Sequence, residues 1–322
     1  MSRYELHVGD CIASLRNLPE KSINTCVTSP PYYALRDYGV EGQIGLEQTP
    51  GEFIQKLVDV FREVRRVLRD DGTLWVNIGD SWSSKKQLMG IPWRLAFALQ
   101  DNGWYLRQDI IWNKPNAMPE SARDRCTKAH EYIFLLSKSP RYHFDYTAIK
   151  EPANLTGKGN ANSFRGGAYV NNSTFDNSAG GNRTVTGNTR SRRDSFKRDG
   201  SKREQTIPGQ AYGTHRPDRE ESAWDTSTRN KRSVWSVATR GYKEAHFATF
   251  PPELVEPCIL AGCPAGGVVL DPFGGSGTTA GVALAFGRDA VLCELNPEYA
   301  ALVPARIENI EALYGKKRGK AA

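Results

Sequence analysis

Two hydrophobic rhythms alternate along the chain. ELHVG (5–9), INTCVT (23–28), TLWVNIG (73–79), YLRQDIIW (105–112) and EYIFLLS (131–137) are short apolar runs with many β-branched or aromatic residues. Polar or Pro-rich residues bound them, which predicts strands. Between them the apolar spacing turns helical. Thr49-Pro50-Gly51-Glu52 predicts a capping box with proline at the first helical position. Phe53, Ile54, Leu57, Val60, Phe61, Val64 and Leu68 then share one face, and Asp71-Gly72 is expected to end that helix. A second helix is predicted near 91–101. Later, PPELVEPCILAG (251–262) reads as a helix despite Pro257, VVLDP (268–272) as a strand, TTAGVALAFG (278–287) as a helix and DAVLCEL (289–295) as a strand. This alternation predicts an α/β fold with a doubly wound, mostly parallel, Rossmann-like sheet.

Neither rhythm continues through the middle. Residues 151–233 are rich in Asn, Gly, Ser and Thr, and carry 15 Lys/Arg against 9 Asp/Glu, which is +6 of the chain's net +7. That composition fits either a solvated, disordered insertion or a region that orders on DNA. It divides the chain into 1–150, 151–233 and 234–322. The overall balance is that of a soluble protein, with 39% hydrophobic residues, 25% charged residues and mean hydropathy −0.54. A pI near 9.0 favours an anionic partner. No apolar stretch approaches the roughly 20 residues that span a bilayer. MSRYELHVGD has no signal-peptide core, so a cytoplasmic protein is expected. The six cysteines are scattered, with no CxxC pair and no clustered histidines, so buried free thiols are expected rather than disulfides or a metal site.

Two strand ends carry candidate chemistry. NTCVTSPPYYALRD (24–37) puts two prolines and two tyrosines directly behind a strand. Proline lacks a backbone donor and fixes its own φ, so the pair stops the strand and stiffens the residues after it. VVLDPFGGSGTTAGVALAFGRDAVLCELN (268–296) is a strand, a glycine-rich turn, a helix, and a strand ending in an acid. Gly274, Gly275 and Gly277 let backbone approach a ligand, and the following helix N-terminus supplies free N–H groups. Glu294 stands where an acid would bind ribose hydroxyls. The glycine spacing also fits a dinucleotide enzyme; a P-loop is excluded because no lysine follows the glycines.

Together, Thr28-Ser29-Pro30-Pro31-Tyr32 and Asp271-Pro272-Phe273-Gly274-Gly275-Ser276-Gly277 resemble the exocyclic-amino DNA methyltransferases that use S-adenosylmethionine. With the catalytic tip first, the basic region central and the cofactor loop last, the chain is similar to the permuted β class over about 1–150 and 233–310. The resemblance implies a methyltransferase sheet with an inserted target-recognition region, acting on double-stranded DNA. A cognate restriction endonuclease and a homodimer are partners it admits, and the source would be a bacterium or phage. Ser29, Pro30, Pro31 and Tyr32 would be catalytic. Ser-Pro-Pro-Tyr implies N4-cytosine methylation, with N6-adenine as the alternative. The Ser29 hydroxyl and the Pro30 carbonyl would accept the two N–H groups of the amine, and Tyr32 would stack on a base extruded from the duplex. Asp271 through Phe273, Gly275, Ser276, Gly277, Thr278, Thr279 and Glu294, with Thr28, would hold the cofactor. Asp10 and Cys11 would lie near its adenine, and His246 to Pro251 near its methionine part. Where many relatives have lysine in that segment, this chain has Phe250. Arg190, Arg192, Arg193, Lys197, Arg198, Lys202 and Arg203 are expected to contact phosphates. Rival readings are an NAD-dependent oxidoreductase, a C5-cytosine methyltransferase using Cys258, and a DNA-binding protein with a vestigial pocket.

Overall fold

Side chains along the central strands alternate between two cores, one on each face of a sheet. The protein's structure is a computed structural model that describes residues 3–153, 227–239 and 250–321. In chain order the first elements are β1 (Tyr4–Val8), α1 (Cys11–Arg16), β2 (Ile23–Thr28), α2 (Pro50–Val67), β3 (Leu68–Ile78), α3 (Ile91–Asp101), β4 (Tyr105–Asn113) and β5 (His130–Ser137). Three short strands follow: β6 (Glu151–Pro152), β7 (Thr228–Arg229) and β8 (Val234–Ser236). The last part is α4 (Pro252–Gly262), β9 (Val268–Asp271), α5 (Thr278–Ala285), β10 (Asp289–Glu294), α6 (Pro297–Ala300) and α7 (Val303–Ala321). Among the described residues the main sheet has the order β1-β10-β9-β2-β3-β5-β4-β8. All its pairings are parallel except the two made by β5, which runs against β3 and β4.

Cys26, Leu74, Val76, Phe134, Leu136 and Leu270 face one core, which α1, α2 and α3 cover with Leu15, Phe53, Leu57 and Leu95. Their strand neighbours Val27, Trp75, Ile133, Leu135 and Val269 face the other, covered by α4, α5 and α7 with Ile259, Val282 and Ile310. The period of two that predicts strands is thus the period that sorts side chains between the layers. Helices on both faces make the fold doubly wound. β2, α2 and β3 step one way across the sheet; β9, α5 and β10 step the other. The carboxyl ends of β2 and β9 therefore flank a topological switch point, where such sheets form a crevice.

The capping box at the start of α2 forms as predicted: the Glu52 N–H donates to Thr49 Oγ1 (3.2 Å) and the Thr49 N–H to Glu52 Oε2 (3.1 Å). Its end differs from expectation. The helix stops at Val67, and Leu68 already pairs with Ile23 of β2. The ladder register shifts before Thr25 pairs with Thr73, so Arg69–Gly72 form a bulge. A Cβ at Gly72 would lie 2.9 Å from the Arg69 carbonyl oxygen and 3.1 Å from that of Asn24. Gly72 serves this bulge; it does not stop a helix. Leu68 is buried either way, which is why helical spacing extends through it.

Met1–Glu151 with Asn230–Ala322 form one compact unit, and Pro152–Arg229 another. In the first, Arg232 pairs with Glu151 (2.7 Å); in the second, the Ala153 N–H donates to the Ser227 carbonyl (2.8 Å).

Candidate active site

A cavity of about 530 Å³ opens at the carboxyl ends of β1, β2, β3, β9 and β10, at the switch point. Ser29 to Tyr32 line one side; Pro272 to Ser276, Thr278 and Glu294 line another. Asp10 and Cys11, where β1 passes into α1, and Phe250, just before α4, complete the wall. Two motifs separated by more than 200 positions in the sequence share one space.

What joins them is buried behind the wall. The Asp271 carboxyl at the end of β9 accepts from the Thr28 hydroxyl of β2 (2.6 Å) and from the Thr279 hydroxyl of α5 (2.6 Å). It also accepts from the Phe273 N–H (3.1 Å). Asp271 is fully buried, and burial pushes its pKa up to about 6 even though these three donors pull it down. Thr28, Asp271 and Thr279 thus clamp two strands and a helix together without themselves facing the cavity. Gly277 is also behind the wall, with φ +90°. A Cβ there would come within 2.9 Å of Val303 Cγ1 on α7.

The glycine loop presents backbone to the cavity. Gly275 has φ +52°, and no atom lies within 4 Å of where its Cβ would project. Glu294 holds the loop: Oε2 accepts the Gly275 N–H (2.7 Å) and Oε1 the Asn296 N–H (2.8 Å). Burial raises the Glu294 pKa, against those amides. Each of its oxygens keeps a further lone pair for a ligand hydroxyl. The Ser276 hydroxyl is buried and has no hydrogen-bond partner among the described residues, a situation that costs about 1–3 kcal/mol until a ligand group relieves it. Gly277 offers no side-chain cap, so the first N–H groups of α5 are left open. Asp10 caps α1 by accepting the Ala13 N–H (2.8 Å). These features fit an adenosyl amino acid: carboxylate for ribose, open amides and hydroxyl for polar ends, Phe250 and Phe273 as apolar walls.

The tip is built from side chains instead. The Tyr32 hydroxyl donates to Glu131 Oε2 (2.6 Å) on β5. Asn77 Nδ2, on β3, reaches Tyr32 Oη (2.9 Å), Glu131 Oε2 (3.2 Å) and Ser29 Oγ (3.3 Å). Lys114, past the end of β4, pairs with Glu131 Oε1 and lies 4.3 Å over the Trp112 ring. Burial, followed by Glu131, raises the Tyr32 pKa well above the usual phenol value. A Cβ at residue 79 would fall 2.7 Å from Tyr32 Cε2, so the ring fits because Gly79 has none. Sequence patterns do not single out Asn77, Lys114 or Glu131. The one available signal is Asn77, a polar residue inside the apolar run TLWVNIG.

Five cysteines are buried and Cys126 is exposed, all as free thiols. Cys258 packs inside α4 with its sulfur near the Leu254 carbonyl, away from the cavity wall, and burial raises its pKa; it is no nucleophile for C5 chemistry. No group of His, Cys, Asp and Glu among the described residues could hold a metal ion, and no described helix is long and apolar enough to cross a membrane. His246 and the basic residues Arg190, Arg192, Arg193, Lys197, Arg198, Lys202 and Arg203 lie outside the described residues.

Residues 23–304 match the family model of the N6/N4 type described as DNA methylase. The chain belongs to this family and is a DNA methyltransferase. It is 41% identical to the type II methyltransferase M.XycI of Xanthomonas campestris pv. cyanopsidis, over 94% of this chain and 87% of that protein. It is 40% identical to M.SmaI of Serratia marcescens, over 93% and 89%. Its fold resembles the PvuII DNA methyltransferase (cytosine-N4-specific) with a TM-score of 0.63, 19% identity, and 98% and 93% of the two chains covered. It also resembles TTHA0409 of Thermus thermophilus, solved with S-adenosyl-L-methionine, at a TM-score of 0.56, 24% identity and 96% coverage of each.

Proposed function

We propose that this protein transfers a methyl group from S-adenosylmethionine to the exocyclic N4 of cytosine in double-stranded DNA. The observation that carries the reading is the single cavity shared by the Ser29–Tyr32 tip and the glycine loop, with the Thr28–Asp271 bond holding the two in register. The cofactor supplies an electrophilic methyl on a sulfonium. Glu294 takes the ribose hydroxyls, Asp10 and Cys11 lie by the adenine, and Ser276, Thr278 and the open amides of α5 receive the polar amino-acid end. Phe250, in the cavity wall, would lie near the methionine part of the cofactor.

An aromatic amine is a weak nucleophile because its lone pair is delocalised into the ring. The Pro30 carbonyl and Ser29 Oγ accept its two N–H bonds and draw the nitrogen toward tetrahedral geometry, so positioning supplies much of the rate. Ser29 is a short, neutral acceptor, which favours cytosine over the adenine that a longer aspartate would suit. A relative in fold is named for cytosine-N4 specificity, in line with this choice. The basic stretch of 151–233 tracks DNA phosphates, and the type II relatives support a cognate restriction endonuclease reading the same site.

Nucleoside mass spectrometry of DNA methylated in vitro tests the reading. N4-methylcytosine is expected; N6-methyladenine would overturn the base assignment and 5-methylcytosine the mechanism. DNA affinity should fall with salt, with a log–log slope of about −0.9 per neutralised phosphate. Alanine at Arg190, Arg192, Arg193 and Lys197 should flatten it.

A further inference from the structure

Methylation leaves the exocyclic nitrogen with one proton too many. The two prolines of the tip have no donors or basic groups to take it, and the Pro30 carbonyl is a weak base. The Ser29 hydroxyl is the nearest side chain to the amine in the proposed function, and this inference rests on that reading. Its oxygen does not stand alone: Asn77 Nδ2 binds Ser29 Oγ and Tyr32 Oη together and so holds the two hydroxyls side by side. The Tyr32 hydroxyl points on to Glu131 at 2.6 Å. The row ends on a carboxylate whose other oxygen is paired with Lys114.

We propose that Glu131 is the terminal proton acceptor of methyl transfer, reached from the amine through the Ser29 and Tyr32 hydroxyls. The nitrogen lone pair forms the N–C bond as the C–S bond breaks and its electron pair stays on sulfur, leaving a neutral thioether. One N–H proton passes to Ser29 Oγ, the serine proton to Tyr32 Oη, and the tyrosine proton to Glu131 Oε2. Glu131 becomes a neutral acid, the two hydroxyls are restored, and the proton returns to water after the product leaves. Lys114 gives the largely buried Glu131 an oppositely charged partner, without which its burial would be expensive. Asn77 is a positioning residue: its amide sets the angle between the hydroxyls without exchanging a proton.

This assigns the Tyr32 hydroxyl a task that base stacking does not need, so Tyr32→Phe separates the two. The experiment measures single-turnover methylation at saturating S-adenosylmethionine and duplex DNA, alongside equilibrium affinities for each. Tyr32→Phe keeps the ring; it is expected to lose about 100-fold in rate, the usual scale of a proton-transfer contribution, with both affinities close to those of wild type. Glu131→Gln should lose as much, and the solvent deuterium effect on the wild-type rate should shrink in both variants. A Tyr32→Phe enzyme as fast as wild type overturns the relay, as does a Glu131→Gln enzyme that loses affinity but not rate. Since rates are compared as ratios on whichever amino product forms, a finding of N6-methyladenine would sink the cytosine assignment and leave the relay standing. A folded wild type that methylates no amine would sink both.

Discussion

The glycine loop and the Ser-Pro-Pro-Tyr tip face each other across one cavity and are joined by one buried hydrogen bond, yet they are stabilised in opposite ways. The loop is local and made of backbone: Gly275 N–H on Glu294, Gly277 at φ +90°, open amides at the start of α5. Most of its hydrogen bonds close within residues 271–296, with Thr28 and Val303 among the contacts from outside. The tip is non-local and made of side chains, from β3, β4 and β5, that meet around Ser29 and Tyr32. The backbone cradle is most sensitive to a Cβ at Gly277, whereas a side-chain network is most sensitive to a lost hydrogen bond. Damage to the first should appear as stability and cofactor affinity, and damage to the second as rate.

The strongest way to break the loop is Gly277→Ala. An L-residue at φ +90° is strained, and its Cβ would press on Val303 Cγ1 at 2.9 Å. The two costs together come to about 4 kcal/mol. Urea titration should show the lower midpoint, and calorimetry a weakened cofactor. An unchanged midpoint would mean that the α5–α7 contact yields freely.

The clamp between loop and tip has its own pH signature. Asp271 holds its proton to about pH 6 in the fold, against 3.8 for an ordinary aspartate. The unfolded chain therefore ionises first, and the stability contribution of Asp271 falls as pH rises from about 4 to 6, by on the order of 3 kcal/mol. Asp271→Asn cannot titrate. The stability difference between variant and wild type should climb in the variant's favour across that window and level off above it. A flat difference would show that the three donors cancel the burial.

This contrast also explains what the sequence discloses. The doubly wound sheet is legible because period-two and helical spacings are local, and the longer strands and α2 to α5 lie near their predicted bounds; α1 and the long α7 (Val303–Ala321) go unpredicted. The loop is legible because glycines at fixed offsets after a strand have few other uses. Asn77, Lys114 and Glu131 are not, since each reads alone as an ordinary polar residue and acquires meaning only when β5 runs antiparallel between β3 and β4. Sequence position groups Asp271 with the cofactor residues; its full burial puts it behind them. The bulge at Gly72 reads as a helix stop because a glycine after a helix usually is one.

Glu294→Ala and Ser29→Ala sharpen the division. The first removes an acceptor for ribose and the tether of Gly275, so cofactor affinity should drop by about 1–3 kcal/mol, and duplex DNA affinity should hold. Ser29→Ala should leave cofactor affinity intact and depress the chemical step, because its contact matters most as the amine reacts. If both variants shifted the same parameter, the two lips of the cavity would not be separable.

The smallest effect belongs to the thiols. Cys11 lines the cofactor side of the cavity, and burial with Asp10 alongside pushes its pKa up to about 12; burial likewise pushes Cys263 and Cys293 to about 12. Such groups are protonated at neutral pH and unreactive. Cys126, between β4 and β5, is the exposed one. Iodoacetamide under native conditions should therefore add one carbamidomethyl group, at Cys126, and leave methylation unchanged. Cys126→Ser should shift stability by less than about 0.5 kcal/mol, as surface substitutions do. A mechanism in which the amine attacks the methyl directly uses no thiolate, so this chemical silence is required of it. Inactivation that follows modification of Cys258 would instead place a covalent nucleophile in α4 and undo the division of labour between loop and tip.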